Sequence, residues 1–169
     1  MKSSAQVVVI GGGLTAIDTA TESLAYYPLQ VEKFLQRHET LVAELGEGKV
    51  RSGWADEESE IADEFIAHAL ALRAERETAA RENREPDIAG LVNGWGGVTL
   101  VYRRRLIDSP SYTLNHEEVH KALEEGIVFA EGLTPTAVET DARGHAIALN
   151  VSVQTMGADS KWSETGQAR

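Results

Sequence analysis

The spacing of apolar residues changes repeatedly along this chain, and each change marks a boundary. The opening run Gln6-Val7-Val8-Val9-Ile10 is β-branched and ends in Gly11-Gly12-Gly13. Such a run predicts a strand buried on both faces of a parallel sheet. From Leu14 to about Tyr26 the pattern turns helical, with Leu14, Ile17, Thr21 and Leu24 on one side, and Pro28 is expected to interrupt it. Val31, Phe34, Leu35, His38, Leu41, Val42 and Leu45 then recur at helical spacing up to Gly46 and Gly48. Asp56-Glu57-Glu58 suits a new helix start, and Ile61, Phe65, Ala69 and Leu72 carry that helix to about Arg84, before Pro86. A short segment follows to Trp95. Residues 28–96 therefore read as a mostly helical insertion, a hairpin of two long helices.

Beyond Gly96-Gly97 the period returns to that of a sheet. Val98–Tyr102 predicts a second buried strand, closed by Arg103-Arg104-Arg105. A loop with Ser109-Pro110-Ser111 leads to a helix at about His116–Glu125, with Asn115 as its N-cap and Gly126 as its stop. Ile127–Ala130 predicts a third short strand. Ala137–Thr140 and His145–Met156 flank Asp141-Ala142-Arg143-Gly144. Ile147, Leu149, Val151 and Val153 alternate as in a half-exposed hairpin strand. Gly157–Arg169 is polar without a period and reads as a tail. The expected fold class is α/β: a Rossmann-like parallel sheet with a β-hairpin or meander and a long helical insertion. The expected organisation is an NAD(P)-binding domain from 1–27 and 97–156, the insertion at 28–96, and the tail at 157–169.

Composition narrows the chemistry. The chain has 169 residues, 42% of them hydrophobic, which suits one ordinary domain with a core. A net charge of -11 argues against a nucleic-acid binder, although one arginine cluster suffices for a phosphate. Without cysteine there is no disulfide, thiolate metal site or CxxC redox pair. No apolar run approaches the roughly 18 residues of a membrane span, and no signal-peptide layout surrounds Val7–Ile10. A cytoplasmic protein with no membrane partner is the expectation.

The turn Gly11-Gly12-Gly13-Leu14-Thr15-Ala16 between strand and helix fits GxGxxG/A in the context that gives the motif meaning. Gly11 allows the tight exit from the strand, Gly13 lets a pyrophosphate approach the backbone, and Ala16 lets the helix pack closely. The helix N-terminus offers N–H groups and a positive dipole end, and Thr15 a hydroxyl. The expected ligand is a nicotinamide dinucleotide held by Gly11, Gly12, Gly13, Leu14, Thr15 and Ala16. No Gly-Lys-Ser/Thr follows, so a P-loop is excluded.

In an NAD site an acid about 20 residues downstream takes the ribose hydroxyl. That count lands near Glu32, inside a helical pattern, so Glu32 is rejected. After the second strand stand Arg103 and Arg104 instead of an acid, which suits the 2′-phosphate of NADP(H).

Gly11-Gly12-Gly13-Leu14-Thr15-Ala16-Ile17-Asp18 resembles the NADPH-binding turn of glutamate synthase small-subunit-like proteins, in the pyridine nucleotide-disulfide oxidoreductase superfamily. So does Val98-Thr99-Leu100-Val101-Tyr102-Arg103-Arg104. Ser109-Pro110, Glu117-Glu118-Val119 and Ala122 to Ile127 are similar to the same family's following loop, helix and strand. The resemblance covers 5–27 and 97–153. It implies a flavin-dependent oxidoreductase in which NADPH passes hydride to FAD, with a flavin-binding domain or subunit as partner. Two departures stand out. The family's short form lacks the insertion at 28–96, and the flavin domain with its own glycine turn is missing here, so a fragment or truncated product, inactive alone, is expected.

The remaining candidates read as structural. His38 on an apolar stripe is a packed histidine. His116 and His120 lie one helical turn apart around Glu117 without a third ligand, so no metal site is assigned. Trp54 and Trp95 are packing anchors, and the acids at 56–60 and 75–85 are solvated helix faces. No catalytic residue is assigned, because hydride transfer is the cofactors' chemistry. Two other classes stay open: an interaction module with a vestigial nucleotide site, and a SAM-dependent methyltransferase, which usually has an acid where Arg103 stands.

Overall fold

The structure is a computed structural model that describes residues 6–158 and 160–168. It divides into two compact units, one comprising the stretch up to Glu22 together with the stretch from Gly96 onward, the other Ser23–Trp95. The class is mixed α/β, with a parallel three-stranded sheet, an antiparallel three-stranded sheet and long helices.

In the sheet unit, β1 (Val7–Ile10), β2 (Val98–Tyr102) and β3 (Val128–Glu131) lie parallel in the order β1-β2-β3. Val7 sits opposite Val98 and Ile10 opposite Val101, while Thr99 faces Val128 and Tyr102 faces Glu131. All three strands thus end at the same edge. The central strand is the buried one, with Val98, Leu100 and Val101 no more than 5% exposed. The expectation of a doubly buried β1 is corrected: Val7, Val8 and Ile10 are 38%, 41% and 57% exposed. The cause is topological, since among the described residues β1 is an outer strand with a neighbour on one side only.

The loop expected at Ser109–Ser111 is also corrected. A 3-10 turn at Leu106–Asp108 is followed by α5 (Pro110–Leu114), capped by the Ser109 hydroxyl, which accepts from Tyr112 N–H. Proline at the first helical position costs no hydrogen bond there. Helix α6 (His116–Glu124) has Asn115 as its N-cap, buries Val119 and Ala122, and stops before Gly126, whose φ is 96°. The antiparallel sheet has the order β4-β5-β6, from β4 (Leu133–Thr140), β5 (Ala146–Met156) and β6 (Trp162–Ala168). Strand β6 corrects the reading of 157–169 as a tail over residues 162–168, and residue 159 lies outside the described residues. Its polar residues pair through backbone with β5, Met156 opposite Trp162 and Val151 opposite Ala168, a bond that needs no apolar alternation. Residue 169 lies outside the described residues. Gly132, at φ 67°, joins the two sheets: its N–H donates to the Arg104 carbonyl at 3.2 Å, and its carbonyl accepts from Gln154 N–H. A Cβ there would meet Gln154 O at 2.6 Å, so only glycine fits.

The helical unit begins inside α1 (Leu14–Leu45), which runs unbroken through Pro28. Proline lacks the N–H that would reach back to Leu24, and its ring crowds that carbonyl. Pro28 is itself buried, between the buried Leu24 and Val31 on the same helix, so packing of that face outweighs the one missing bond. Short α2 (Glu47–Arg51) then precedes α3 (Asp56–Glu82) and α4 (Ile88–Gly94). Three acids occupy the first turn of α3, as the dipole favours. Val31 and Leu35 of α1 meet Ala69 and Leu72 of α3 in a buried cluster, flanked by Tyr27, Phe65, Ile66, Ile88, Leu91 and Trp95. Burying a leucine such as Leu72 fully stabilises by roughly 1.5–3 kcal/mol. Ion pairs cross the same helices: Arg73 with Glu39 and Arg76 with Glu32. Glu75 is more than a solvated acid. It accepts from Arg84 at 2.6 Å and from Asp87 N–H at 2.8 Å, which ties α3 to the start of α4 and holds its carboxyl down at about 2.

Candidate functional site

Parallel pairing places the ends of β1 and β2 side by side, and Gly11 N–H donates to the Val101 carbonyl at 3.1 Å. The glycine turn therefore leaves the sheet directly beside Tyr102-Arg103-Arg104. Each glycine has a different neighbour. A Cβ on Gly11 would come within 3.0 Å of Ala16 Cβ, the close approach of turn and helix that small residues at both positions permit. A Cβ on Gly12 would lie 2.3 Å from the Tyr102 ring. A Cβ on Gly13 would meet nothing within 4 Å. The turn is thus closed at Gly11 and Gly12 and open at Gly13.

Helix α1 starts at Leu14. The Gly13 carbonyl accepts from Ala16 N–H at 3.0 Å and from Ile17 N–H at 3.3 Å. Leu14 and Thr15, the first two helical residues, have no intrahelical acceptor for their N–H groups. Thr15 is exposed, and Leu14 and Ala16 are half-buried.

Arg103 and Arg104 are both exposed and form no ion pair with a carboxylate among the described residues. Arg105 differs: it holds Asp108 through two bonds, Nε at 2.8 Å and Nη2 at 2.9 Å. That guanidinium lowers the Asp108 carboxyl below its ordinary range, with a weaker contribution from the charge of Arg104. The predicted residues Gly11 to Ala16 and Arg103-Arg104 thus follow two adjacent strand ends. Glu32 pairs with Arg76 in the helical unit.

Sequence reasoning missed two contributors. The Tyr102 ring walls one side of Gly12. Ser111 N–H donates to the Gly12 carbonyl at 2.9 Å, and Ser109 and Ser111 are fully buried with their hydroxyls 3.0 Å apart. A Ser-Pro pair at cap and first-turn positions was the available signal.

The other candidates lie elsewhere. His38 is mostly buried, with Phe34 stacked at 6.3 Å and Trp54 at 6.0 Å, and its Nε2 lies 3.6 Å from Glu47. Trp95 stacks on His68 at 3.9 Å. His116 and His120 lie near Tyr112 at 6.2 and 6.4 Å. Among the described residues no three metal-ligating side chains gather. None of their helices is long and apolar enough to cross a membrane.

The chain is similar to an uncharacterized protein of Rickettsia prowazekii (strain Madrid E), 40% identical over 149 residues. That alignment takes in 88% of this chain and 19% of the relative, so the chain spans about a fifth of the protein it matches. No protein-family model matches.

Proposed function

We propose that this chain binds NADP(H) and forms the nicotinamide-holding part of a flavin-dependent oxidoreductase similar to glutamate synthase small-subunit-like proteins. The observation that carries the reading is the shared edge of β1 and β2. An open glycine at Gly13 and the first N–H groups of α1 follow one strand end, and Arg103 and Arg104, which form no ion pair among the described residues, follow the adjacent one. A Rossmann-like interpretation of the sheet goes with it, since such sheets bind dinucleotides beyond the carboxyl ends of their strands.

The residues fit the group. The space at Gly13 admits a pyrophosphate oxygen to the backbone, and the α1 N-terminus favours its charge. Arg103 and Arg104 present guanidinium donors to a 2′-phosphate. Bound NADPH supplies the hydride, and a flavin-binding domain or subunit supplies its acceptor. The chain's own task is placement: it fixes the dinucleotide along the strand edge, and no catalytic residue is assigned to it. A cytoplasmic setting, where NADPH is available, belongs to the same reading.

Calorimetric titration with NADPH, NADH and S-adenosylmethionine tests it. NADPH is expected to bind about tenfold or more tightly than NADH, one charge-assisted phosphate contact being worth roughly 1.5–3 kcal/mol. Equal affinity for the two dinucleotides would remove the role given to Arg103 and Arg104. Preference for S-adenosylmethionine would move the protein to another class.

A further inference from the structure

We infer that the segment Ser109-Pro110-Ser111 is a positioning element for the phosphate turn, with the Ser111 backbone N–H setting the direction of the Gly12–Gly13 peptide. The inference rests on the dinucleotide reading above and adds residues which that reading does not need.

The Gly12 carbonyl accepts from Ser111 N–H at 2.9 Å. The peptide bonds of the described residues are trans, so the carbonyl of a peptide and its N–H point opposite ways. Holding the Gly12 oxygen toward α5 therefore directs the Gly13 N–H away from α5. Gly13 is the position with open space around it. A glycine pair without this tether has a wide range of orientations, including one that turns an oxygen toward an incoming phosphate. The Tyr102 ring, lying against Gly12, closes one other direction.

The donor is itself held firmly. Ser109 caps α5 by accepting from Tyr112 N–H at 3.1 Å, and Pro110 fixes the backbone at the first helical position. Ser109 and Ser111 are 0% exposed, and their hydroxyls bond each other at 3.0 Å. Two serines without water contact, one capping a five-residue helix and one in its first turn, contribute little apolar burial. Their placement is explained by what the segment holds. Ser111 lies at the second position of α5, where an N–H has no intrahelical acceptor, so it is free to serve Gly12.

Binding is measured for the unmodified chain, Ser111→Pro and Ser109→Ala, using NADPH, NADH and adenosine 2′-phosphate, which has no pyrophosphate. Ser111→Pro deletes the donor and is expected to weaken both dinucleotides about tenfold or more, the scale of one charge-assisted hydrogen bond. Ser109→Ala loosens the donor and is expected to weaken them less. Adenosine 2′-phosphate, which engages the arginines, is expected to bind all three alike, a selectivity that general destabilisation would not produce. Unchanged dinucleotide affinity in a folded Ser111→Pro chain would overturn the inference and leave the dinucleotide reading standing. Should Ser111→Pro lose its cooperative melt, NMR of the unmodified chain decides. A Ser111 amide protected from exchange, with a Gly13 amide that shifts on adding inorganic pyrophosphate, supports the tether, and an unmoved Gly13 amide overturns it. An unmodified chain that binds neither dinucleotide would overturn both readings together.

Discussion

Arginines do different work in the two units. In the helical unit Arg51, Arg73, Arg76 and Arg84 each meet a carboxylate: Asp63, Glu39, Glu32 and Glu75. In the sheet unit Arg105 holds Asp108, while Arg103 and Arg104 stand without an ion pair among the described residues. The chain has 27 acids against 16 basic residues, so a carboxylate is easily supplied at any position. Arg103 and Arg104 follow the strand end next to the one that carries the glycine turn, without a carboxylate partner among the described residues, and under the proposed reading their donors serve a phosphate. Arg81 of the helical unit instead donates to the Thr78 hydroxyl at 3.0 Å, so the contrast is between four guanidiniums that tie helices to carboxylates and two at a strand end that do not.

The largest expected effect falls in the apolar core between the braced helices and leaves the proposed ligand edge alone. Leu72 is fully buried between α1 and α3, and Leu72→Ala should destabilise the helical unit by about 2–5 kcal/mol through lost transfer energy and the cavity left behind. Denaturant unfolding measures the loss, and dinucleotide titration of the folded fraction should be unchanged. A parallel loss of affinity would show that the helical unit shapes the nucleotide site. The converse substitution, Arg103→Ala with Arg104→Ala, should cost NADPH about tenfold to a hundredfold in affinity and leave the unfolding midpoint near that of the unmodified chain. Arg105→Ala is the control: it frees Asp108 and should leave the NADPH-to-NADH ratio nearly unchanged. If all three arginines contribute equally to that ratio, ion pairing does not distinguish them.

The same contrast explains what the sequence revealed. Strand β2, the acidic start of α3, the Asn115 cap and the Gly126 stop were legible because their chemistry is local. The strand–glycine–helix turn was legible because small residues at Gly11 and Ala16 answer to a close approach between them. Exposure of β1 was not, since it depends on the order of strands in the sheet and on which side lacks a neighbour. Pro28 was read by its local cost, while its burial between Leu24 and Val31 is a tertiary gain. Strand β6 has little side-chain signature because backbone pairing holds it. The Ser111–Gly12 contact joins residues about a hundred positions apart through backbone atoms, which no side-chain pattern encodes.

The smallest expected effect concerns a polar pair that stays neutral within the helical unit. Tyr27 Oη lies 2.6 Å from His68 Nδ1, and His68 is stacked on Trp95. Burial, reinforced by the nearby Glu64 carboxylate, pushes the Tyr27 phenol up to about 12. Burial lowers the His68 imidazole, and the same Glu64 charge partly opposes that shift. Both groups are thus held neutral, which suits the imidazole tautomer protonated on Nε2 with Nδ1 accepting the phenol proton. The signs follow by linkage. His68 takes up its proton more readily in the unfolded chain, so its contribution is full above the ordinary imidazole range and is lost as pH falls toward the depressed folded value. Tyr27 loses its proton first in the unfolded chain, so its contribution is full below about 10 and is lost as pH rises toward about 12. Tyr27→Phe removes one hydrogen bond, worth about 0.5–1.5 kcal/mol near neutral pH, and also the Tyr27 part of the alkaline decline. Because the deleted bond favours neutral imidazole, the His68 titration should move upward in the variant, and the acid-side loss of stability should become shallower. NMR titration of His68 in the two proteins measures the first change, and urea midpoints across acid pH measure the second. An unmoved imidazole titration would mean that burial alone sets the state of His68 and that the phenol contributes only its ring.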